Sequence, residues 1–516
     1  MSFSRSSGLL LHPTSLPGPF GVGDLGDEAY RFADFLKESG QGLWQMLPLG
    51  PTGYGNSPYA GFSAFAGNTL LISPHRLVEE GLLQPSDIAN PPTFPEETVD
   101  YSEAYKFKDK LLRRAFEAFR RTTDTGFKAN FEHFCLHAAS WLDDYALYRA
   151  LKKAHGEKSW TDWEPQFVRR EAAALASARR DLEEEIEAQK FYQFLFFRQW
   201  FALKDYCHAR GISIIGDIPI FVAFDSADVW TNPEQFKLSE DRRPMVVAGV
   251  PPDYFSATGQ LWGNPIYNWE QMVEDGFRWW IARVRAALQT IDILRIDHFR
   301  GFAACWEIPG GDETAVRGRW VSAPGRELFK AIREALGELP IIAEDLGVIT
   351  PDVIALRQEF DFPGMSILQF AFDGDNGNSR FLPHNYKHNS VVYTGTHDND
   401  TIVGWFNSHA GAGSTRTAEQ IERERRLCLE YLGTDGSRIH MDFIRAVLAS
   451  VADIALIPVQ DLLGLGTEAR MNLPNTTEGN WAWRYKQGAL TEELGRQLGK
   501  LTALYGRAHK RNEQEA

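Results

Sequence analysis

ILRIDHFRG, residues 293–301, reads as a β-strand covered on both faces, yet it carries Arg295 and Asp297. A strand buried on both faces is a near-continuous apolar run, and residues two apart share a face. The two charges therefore sit side by side, and they are either paired or functional. An unpaired buried Arg costs several kcal/mol. Beside Asp297, Arg295 would instead keep that carboxylate ionised through charge and hydrogen bonding.

Runs of the same kind recur along the chain: GLLLHPT, GLWQMLPLGP, ISIIGDIPIFV, LPIIAEDLG, MSILQFAFD, SVVYTGTHDND and IALIPVQDLLG. With the opening stretch they make about eight, the strand number of a (β/α)8 barrel. Helical patterns lie between several of them. In residues 276–288, Phe277, Trp280, Ile281, Val284, Ala287 and Leu288 keep the spacing of one buried helix face. Alternating strand and helix is the signature of a parallel sheet with helical crossovers, so the fold class is α/β, a TIM barrel. The interval 68–211 is too long for one crossover and carries helical patterns of its own, clearest over 172–200, which predicts an inserted, mainly helical subdomain between strands 2 and 3. The interval 221–269, rich in Gly, Pro and aromatics, predicts a second insertion, a long loop at the strand ends where barrels build their sites. No separate C-terminal β-sandwich is expected, and the whole chain, 1–516, reads as one catalytic barrel with insertions.

Bulk properties narrow the partners. A formal charge of -15, from 54 Lys and Arg against 69 Asp and Glu, gives no overall basic footprint for nucleic acid or an anionic membrane, so a neutral ligand is expected. The 15 Trp fit core packing first, although aromatic rings also meet the apolar faces of sugars. Cys135, Cys207, Cys305 and Cys428 stand far apart without a C-x-x-C pair, which predicts neither a zinc site nor a disulfide framework. The apolar run Leu9–Leu11 is shorter than a secretory signal needs, and no stretch has the ~18 apolar residues of a membrane span. A cytoplasmic protein is expected.

Several of the strand-like runs end in acids: Asp217 in IIGDIPI, Asp297 in LRIDHF, Glu344 in IIAEDLG and Asp398 in GTHDND. Acids at the C-terminal ends of barrel strands converge on one mouth, where this fold keeps its catalytic residues. Any one of them could instead cap a helix or pair with a base. Together they suit glycosidic cleavage, in which one carboxylate attacks or holds water and a second, kept protonated, donates to the leaving oxygen. Spacing does not choose between Glu344 and Asp345, which would face opposite sides of one strand, or between Asp398 and Asp400.

These motifs, with HPTSLPGPFGVGDLG, NSPYAGFSAFAGN, GDIPIFVAFDSADVW, VAGVPPDYFSATGQLWGNP, FPGMSILQFAF and MNLPNTTEGNWAWR, resemble the amylomaltases, the 4-α-glucanotransferases or disproportionating enzymes of glycoside hydrolase family 77, relatives of the α-amylases. The resemblance runs from about Leu9 to Arg484. It implies a retaining double displacement with Asp297 as nucleophile, Glu344 as acid/base and Asp398 as the acid that stabilises the transition state. By the same resemblance Arg295, His397 and Asp217 contact the sugar at the cleavage point and Tyr59 forms the platform beneath it. Ser57, Asp253, Gln260, Trp262, Asp373 and Asn472 match further glucan contacts, and Tyr54 and Tyr101 match a secondary glucan site of some members. Trp262 and Tyr59 have core packing as the competing reading, and His12 and His298 are read as structural.

The resemblance implies α-1,4-glucans and glucose as partners, with no metal and no cofactor. The chain departs from the family pattern at Asn56, where Asp is usual, at Gly61, where a larger side chain is usual, and at Asn475, which follows Pro474 where Gly is usual. The expected activity is transfer of a glucan segment to the 4-hydroxyl of another glucan or glucose, including cyclisation. Hydrolysis of the α-amylase type begins with the same intermediate, and a non-catalytic glucan-binding protein is the reading from another class. The aromatic loop 249–262 is read as a cover that could exclude water from the site.

Overall fold

The computed structural model describes residues 3–252, 258–374, 377–411, 416–474 and 476–508. It holds two sheets. Eight strands, β1 (Ser6–Leu10), β2 (Leu43–Gln45), β3 (Ser213–Pro219), β6 (Ile293–Asp297), β9 (Ile341–Ala343), β10 (Gly364–Ile367), β11 (Ser390–Tyr393) and β12 (Ile454–Pro458), form a parallel sheet in the order β10-β11-β12-β1-β2-β3-β6-β9. The outermost pair, β9 and β10, meets through a bond from Ala343 N to Pro363 O of 3.0 Å, and the sheet becomes a barrel. All eight runs read from the sequence are barrel strands.

Alternation along the strands sorts the side chains. Leu43, Ile215, Ile293, Ile342, Met365, Ile367, Val391, Tyr393, Ile454 and Leu456 fill the interior. Their neighbours Trp44, Ile214, Leu294, Ile296, Ile341, Val392 and Ala455 pack outward with the surrounding helices. Fully burying one such aliphatic side chain contributes about 1.5–3 kcal/mol. The strands approach so closely at Gly8 that a Cβ there would lie 2.3 Å from Leu43 O, so Gly8→Ala would force β1 and β2 apart.

Between β2 and β3 stand the helices Tyr101–Arg121, Thr125–Ala154, Ala172–Asp181 and Glu183–His208, with shorter ones before them. Asp100 and Asp124 start the first two by accepting from the N–H groups of Glu103 and Phe127, at 3.1 and 3.0 Å. Aromatic contacts join the group, such as Phe119 on Phe191 with centroids 4.4 Å apart. The helical pattern read over 172–200 is two helices that meet at Leu182, and three acids, Glu183, Glu184 and Glu185, open the second.

The interval read as a long loop after β3 is more ordered than that. It contains β4 (Val246–Val250) and β5 (Gln260–Pro265), which join β7 (Ala304–Pro309) and β8 (Arg319–Ser322) in an antiparallel sheet of order β5-β4-β7-β8. Its inner face buries Ala248, Cys305 and Glu307, the last paired with Lys237. The helix read over 276–288 spans Arg278–Thr290, because Gly276 and Phe277 both take positive φ and turn the chain into it. Among the described residues no strand follows β12, and no helix is long and apolar enough to cross a membrane.

Candidate active site

Register alone brings the first acids together. In the β3–β6 ladder Asp217 stands opposite Arg295, and in the β6–β9 ladder Arg295 stands opposite Ile342 and Ile296 opposite Ala343. One step further sets Asp297 opposite Glu344, a step marked by the bond from Glu344 N to Ile296 O at 3.0 Å. Ile215, Ile293 and Ile342 point inward, so Asp217, Arg295, Asp297 and Glu344, each at even spacing from them, face the mouth.

Arg295, 3% exposed, is paired on both sides. Its Nη1 donates to Asp217 Oδ2 and its Nη2 to Asp297 Oδ1 at 3.0 Å. Burial works against its charge, and Asp217 and Asp297 more than offset that. The Tyr59 hydroxyl donates to the same Asp217 oxygen at 2.8 Å. Burial and then the Asp217 charge raise the Tyr59 phenol well above its usual range, so it remains a donor.

Glu344 sits in a different field. Burial, and next the charge of Asp297, push its carboxyl up to about 8, against Arg295 and two backbone N–H groups. Those donors are Leu346 N to Oε1 at 2.7 Å and His298 N to Oε2 at 2.8 Å. His298 reaches this position with φ +53°, an uncommon conformation for a non-glycine residue and one that concentrates at functional sites. The sequence reading treated His298 as structural; its backbone N–H in fact touches Glu344, and only the residue's place just after the strand could have signalled this. Its ring, held neutral by burial with a pKa of about 3, meets Trp262 edge to face at 4.7 Å.

The competing acids are accounted for. Asp345 faces away from the mouth, accepts from Met365 N at 2.8 Å and pairs with Arg357 at 3.3 Å. Asp400 accepts from Thr401 N and from the Thr467 hydroxyl, both at 2.8 Å.

Asp398 arrives by loop rather than by strand. Asn472 Nδ2 donates to its Oδ1 at 2.6 Å, and His397 Nε2 lies 3.4 Å from the same oxygen. Asn472 N bonds His397 O at 3.1 Å, while Arg470 donates to the carbonyls of Asp398 and Asn472, at 2.6 and 2.7 Å. Arg470 is a further residue that the sequence reading did not single out. The loop halves meet the strand halves through Tyr59, whose ring stacks on His397 at 5.2 Å and touches Trp481 at 5.7 Å. His12, fully buried behind this group, is kept neutral by burial and by His397, with a pKa of about 3.

The remaining candidates are less concentrated. Ser57 Oγ accepts from Tyr59 N at 3.2 Å. Gln260 and Trp262 lie together on β5, joined by a 3.1 Å bond from the indole N–H, and Trp262 is 38% exposed, unlike a core aromatic. Asp373 is exposed at the end of the turn Leu368–Phe372, and among the described residues no hydrogen bond or ion pair ties it to the acids. Tyr54 is 80% exposed beside Gly55 and Asn56, both at positive φ, which Asn tolerates well. Tyr101 offers no open ring: it is buried with Val22, Leu70 and Val99, and its hydroxyl donates to Trp481 O at 2.8 Å. Asp253 and Asn475 lie outside the described residues, as does the middle of the loop read as a cover. Among the described residues no group of three or more His, Cys, Asp or Glu is arranged to hold a metal ion.

The comparisons with known proteins follow the same lines. The 4-alpha-glucanotransferase of Synechocystis sp. is 52% identical over 507 residues, covering 98% of each chain. That of Thermus thermophilus is 52% identical over 506 residues, covering 96% of this chain and 98% of its own. An amylomaltase of Streptococcus agalactiae, solved in complex with acarbose, superposes with a TM-score of 0.92 at 43% identity, covering 98% of this chain and 100% of its own. The sequence model of the 4-alpha-glucanotransferases matches residues 11–491, nearly the span of the motifs gathered around the mouth, and the chain belongs to that family, glycoside hydrolase family 77.

Proposed function

We propose that Asp297 is the nucleophile, Glu344 the acid/base and Asp398 the transition-state acid of a retaining transfer between α-1,4-glucans. The protein is a 4-alpha-glucanotransferase, with α-1,4-glucans and glucose as its substrates. What supports the assignment of roles is the contrast between facing carboxyls: Arg295 bonds Asp297, while burial and the neighbouring charge lift Glu344 to about 8. Below that pH Glu344 holds a proton to give, and Asp297 holds a lone pair to attack with.

In the first half-reaction an Asp297 oxygen bonds the anomeric carbon as the bond to the leaving O4 breaks, and Glu344 passes its proton to that oxygen. Positive charge grows on the sugar ring, and Asp398, fixed by Asn472 and His397, lies on hand to balance it. In the second half the 4-hydroxyl of an incoming glucan attacks the same carbon, gives its proton back to Glu344, and the ester to Asp297 breaks. Arg295, Asp217, His397 and Tyr59 hold the sugar at the cleavage point. Ser57, Asp253, Gln260, Trp262, Asp373 and Asn472 extend the glucan contacts on this reading. Tyr54 is the exposed member of the secondary pair.

The helices of 68–211 form an inserted subdomain on this reading, and 221–269 a second insertion that carries Gln260 and Trp262. Cyclisation follows when the 4-hydroxyl belongs to the donor's own far end. A cytoplasmic location accords with the four cysteines, each free.

Incubation with maltotriose alone, with products resolved by length, tests the activity. A ladder of longer maltooligosaccharides with glucose as by-product and a constant number of reducing ends is expected. Shortening with rising reducing ends would make the protein a hydrolase, and no change at all would leave only a binding role.

A further inference from the structure

The peptide that links Asp345 to Leu346 is gripped at both edges. On one side the Leu346 N–H donates to Glu344 Oε1 at 2.7 Å. On the other, Arg380 Nη2 donates to Asp345 O at 2.6 Å. A trans peptide is planar, with its N–H and C=O pointing opposite ways, so the two bonds hold one rigid plate between them. Arg380 thus reaches Glu344 without touching it, and each bond polarises the peptide in the sense that strengthens the other.

Little else holds that plate. Among the described residues no backbone-to-backbone hydrogen bond involves residues 345–349, and Gly347 turns the chain there with φ +79°. The Asp345 carboxylate faces elsewhere, taking Met365 N at 2.8 Å and Arg357 at 3.3 Å, with Arg380 Nη1 farther off at 3.7 Å. The next anchor along the turn is again an arginine: Arg300 Nη1 donates to Val348 O, and its guanidinium carbon lies 3.8 Å from the centre of the Trp320 ring. Side chains from two other loops, one after β6 and one after β10, therefore do for this turn what a ladder does for a strand.

The held N–H bears on the chemistry. In transfer Glu344 alternates between acid and carboxylate, and a hydrogen bond from Leu346 favours the carboxylate. The other groups facing Glu344 are Asp297 and Arg295 from β6, the His298 N–H, and from β11 the Tyr393 phenol, which burial keeps protonated.

We propose that Arg380 is a positioning residue for Glu344: given Glu344 as the acid/base, Arg380 holds Asp345 O so that the Leu346 N–H is aimed at the carboxylate that forms when the proton is given up. Donors fixed in advance where charge develops need no reorganisation as the reaction proceeds. The sequence reading did not single out Arg380, whose contribution passes through a backbone carbonyl.

Arg380→Met tests this, since it removes the donors, keeps the length and alters a side chain that is 44% exposed, so the fold is expected to persist. On maltotriose kcat is expected to fall about tenfold with KM within about threefold, and the alkaline decline of kcat/KM to move up by about one pH unit, the scale of one hydrogen bond to a charged group. Hydrogen exchange at the Leu346 N–H, read by mass spectrometry of overlapping peptides across 344–350, is expected to quicken about tenfold, which loss of the Arg380 charge alone would not produce. Arg380→Gln, too short to reach the carbonyl, carries the same expectations should Arg380→Met not fold. An alkaline decline that stays in place, or unchanged exchange at Leu346, would overturn the positioning role while leaving Glu344 as the acid/base. A decline that survives in Glu344→Gln would overturn the acid/base reading itself, and the role of Arg380 with it.

Discussion

The two halves of the mouth are built differently. Asp217, Arg295, Asp297 and Glu344 stand on adjacent strands, so the ladder registers dictate their spacing. His397, Asp398 and Asn472 lie on loops beyond β11 and β12, and their positions depend on Arg470, on one another and on Asn472's bonds to its neighbours. The strand half is mostly buried, with Arg295 bonded to two of its three carboxyls, whereas the Asp398 side chain is 47% exposed. On the proposed roles, strands thus supply the groups whose protonation must be controlled, and loops supply the further charge beside the sugar.

Substitutions on the strand half should cost most. Asp297→Asn removes the attacking oxygen's charge while keeping its shape, and kcat should fall by about ten-thousandfold or more. A loss under tenfold, measured on maltotriose, would take Asp297 out of the nucleophile role.

Glu344→Gln should cost about a hundredfold to ten-thousandfold, with most of the loss recovered on glucosyl donors whose leaving group needs no proton. The wild-type profile sharpens this. With the Glu344 carboxyl lifted to about 8, kcat/KM should decline as pH rises through that value, and the variant should lack that limb. A decline that survives in the variant would assign it to another group.

On the loop half, Asn472→Ala removes one hydrogen bond to a carboxylate, worth about 1.5–3 kcal/mol, and should lower kcat by roughly tenfold to a hundredfold. An effect as large as that of Asp297→Asn would erase the distinction between the halves.

The smallest effect on turnover is expected behind the loops, at Asp461. It accepts from the Thr394 hydroxyl at 2.6 Å and from Ile402 N at 2.8 Å, and burial pushes it up to about 6. A carboxyl whose folded pKa is raised holds its proton more tightly folded than unfolded. Its stabilising contribution is therefore full at low pH and is lost as pH rises from about 4 to about 6. Asp461→Asn should flatten the stability curve in that window by up to about 3 kcal/mol, read from denaturant melts. An unchanged slope would mean that Asp461 titrates normally.

The same contrast explains what the sequence revealed. Each barrel strand is a short apolar run with a polar end, so the strands and the acids of the strand half could be read directly. The antiparallel sheet was hidden because β4, VVAGV, precedes a Pro-Pro pair and lies in Gly-rich surroundings that look like loop. Arg470 carried no signal, since its task is to bond two backbone carbonyls far apart in the chain. The burial of Tyr101 depends on residues from three distant segments and was not legible in its own stretch, and the positive φ of His298 is only weakly marked by residue type.

The junction of β9 and β10 gives the barrel a clasp. Every other neighbouring pair shares a ladder of three or more residue pairs, whereas here one backbone hydrogen bond, from Ala343 N to Pro363 O, is supplemented by the Asp345 carboxylate standing in for a strand partner at Met365. Gly364 makes room for it, since a Cβ there would lie 2.6 Å from Asp345 Oδ2. A hoop fastened by a side chain is most compliant at its fastening, and this one adjoins Glu344. Breathing of the barrel, which hydrogen exchange at Met365 N–H would time, therefore reaches Glu344 before it reaches Asp297.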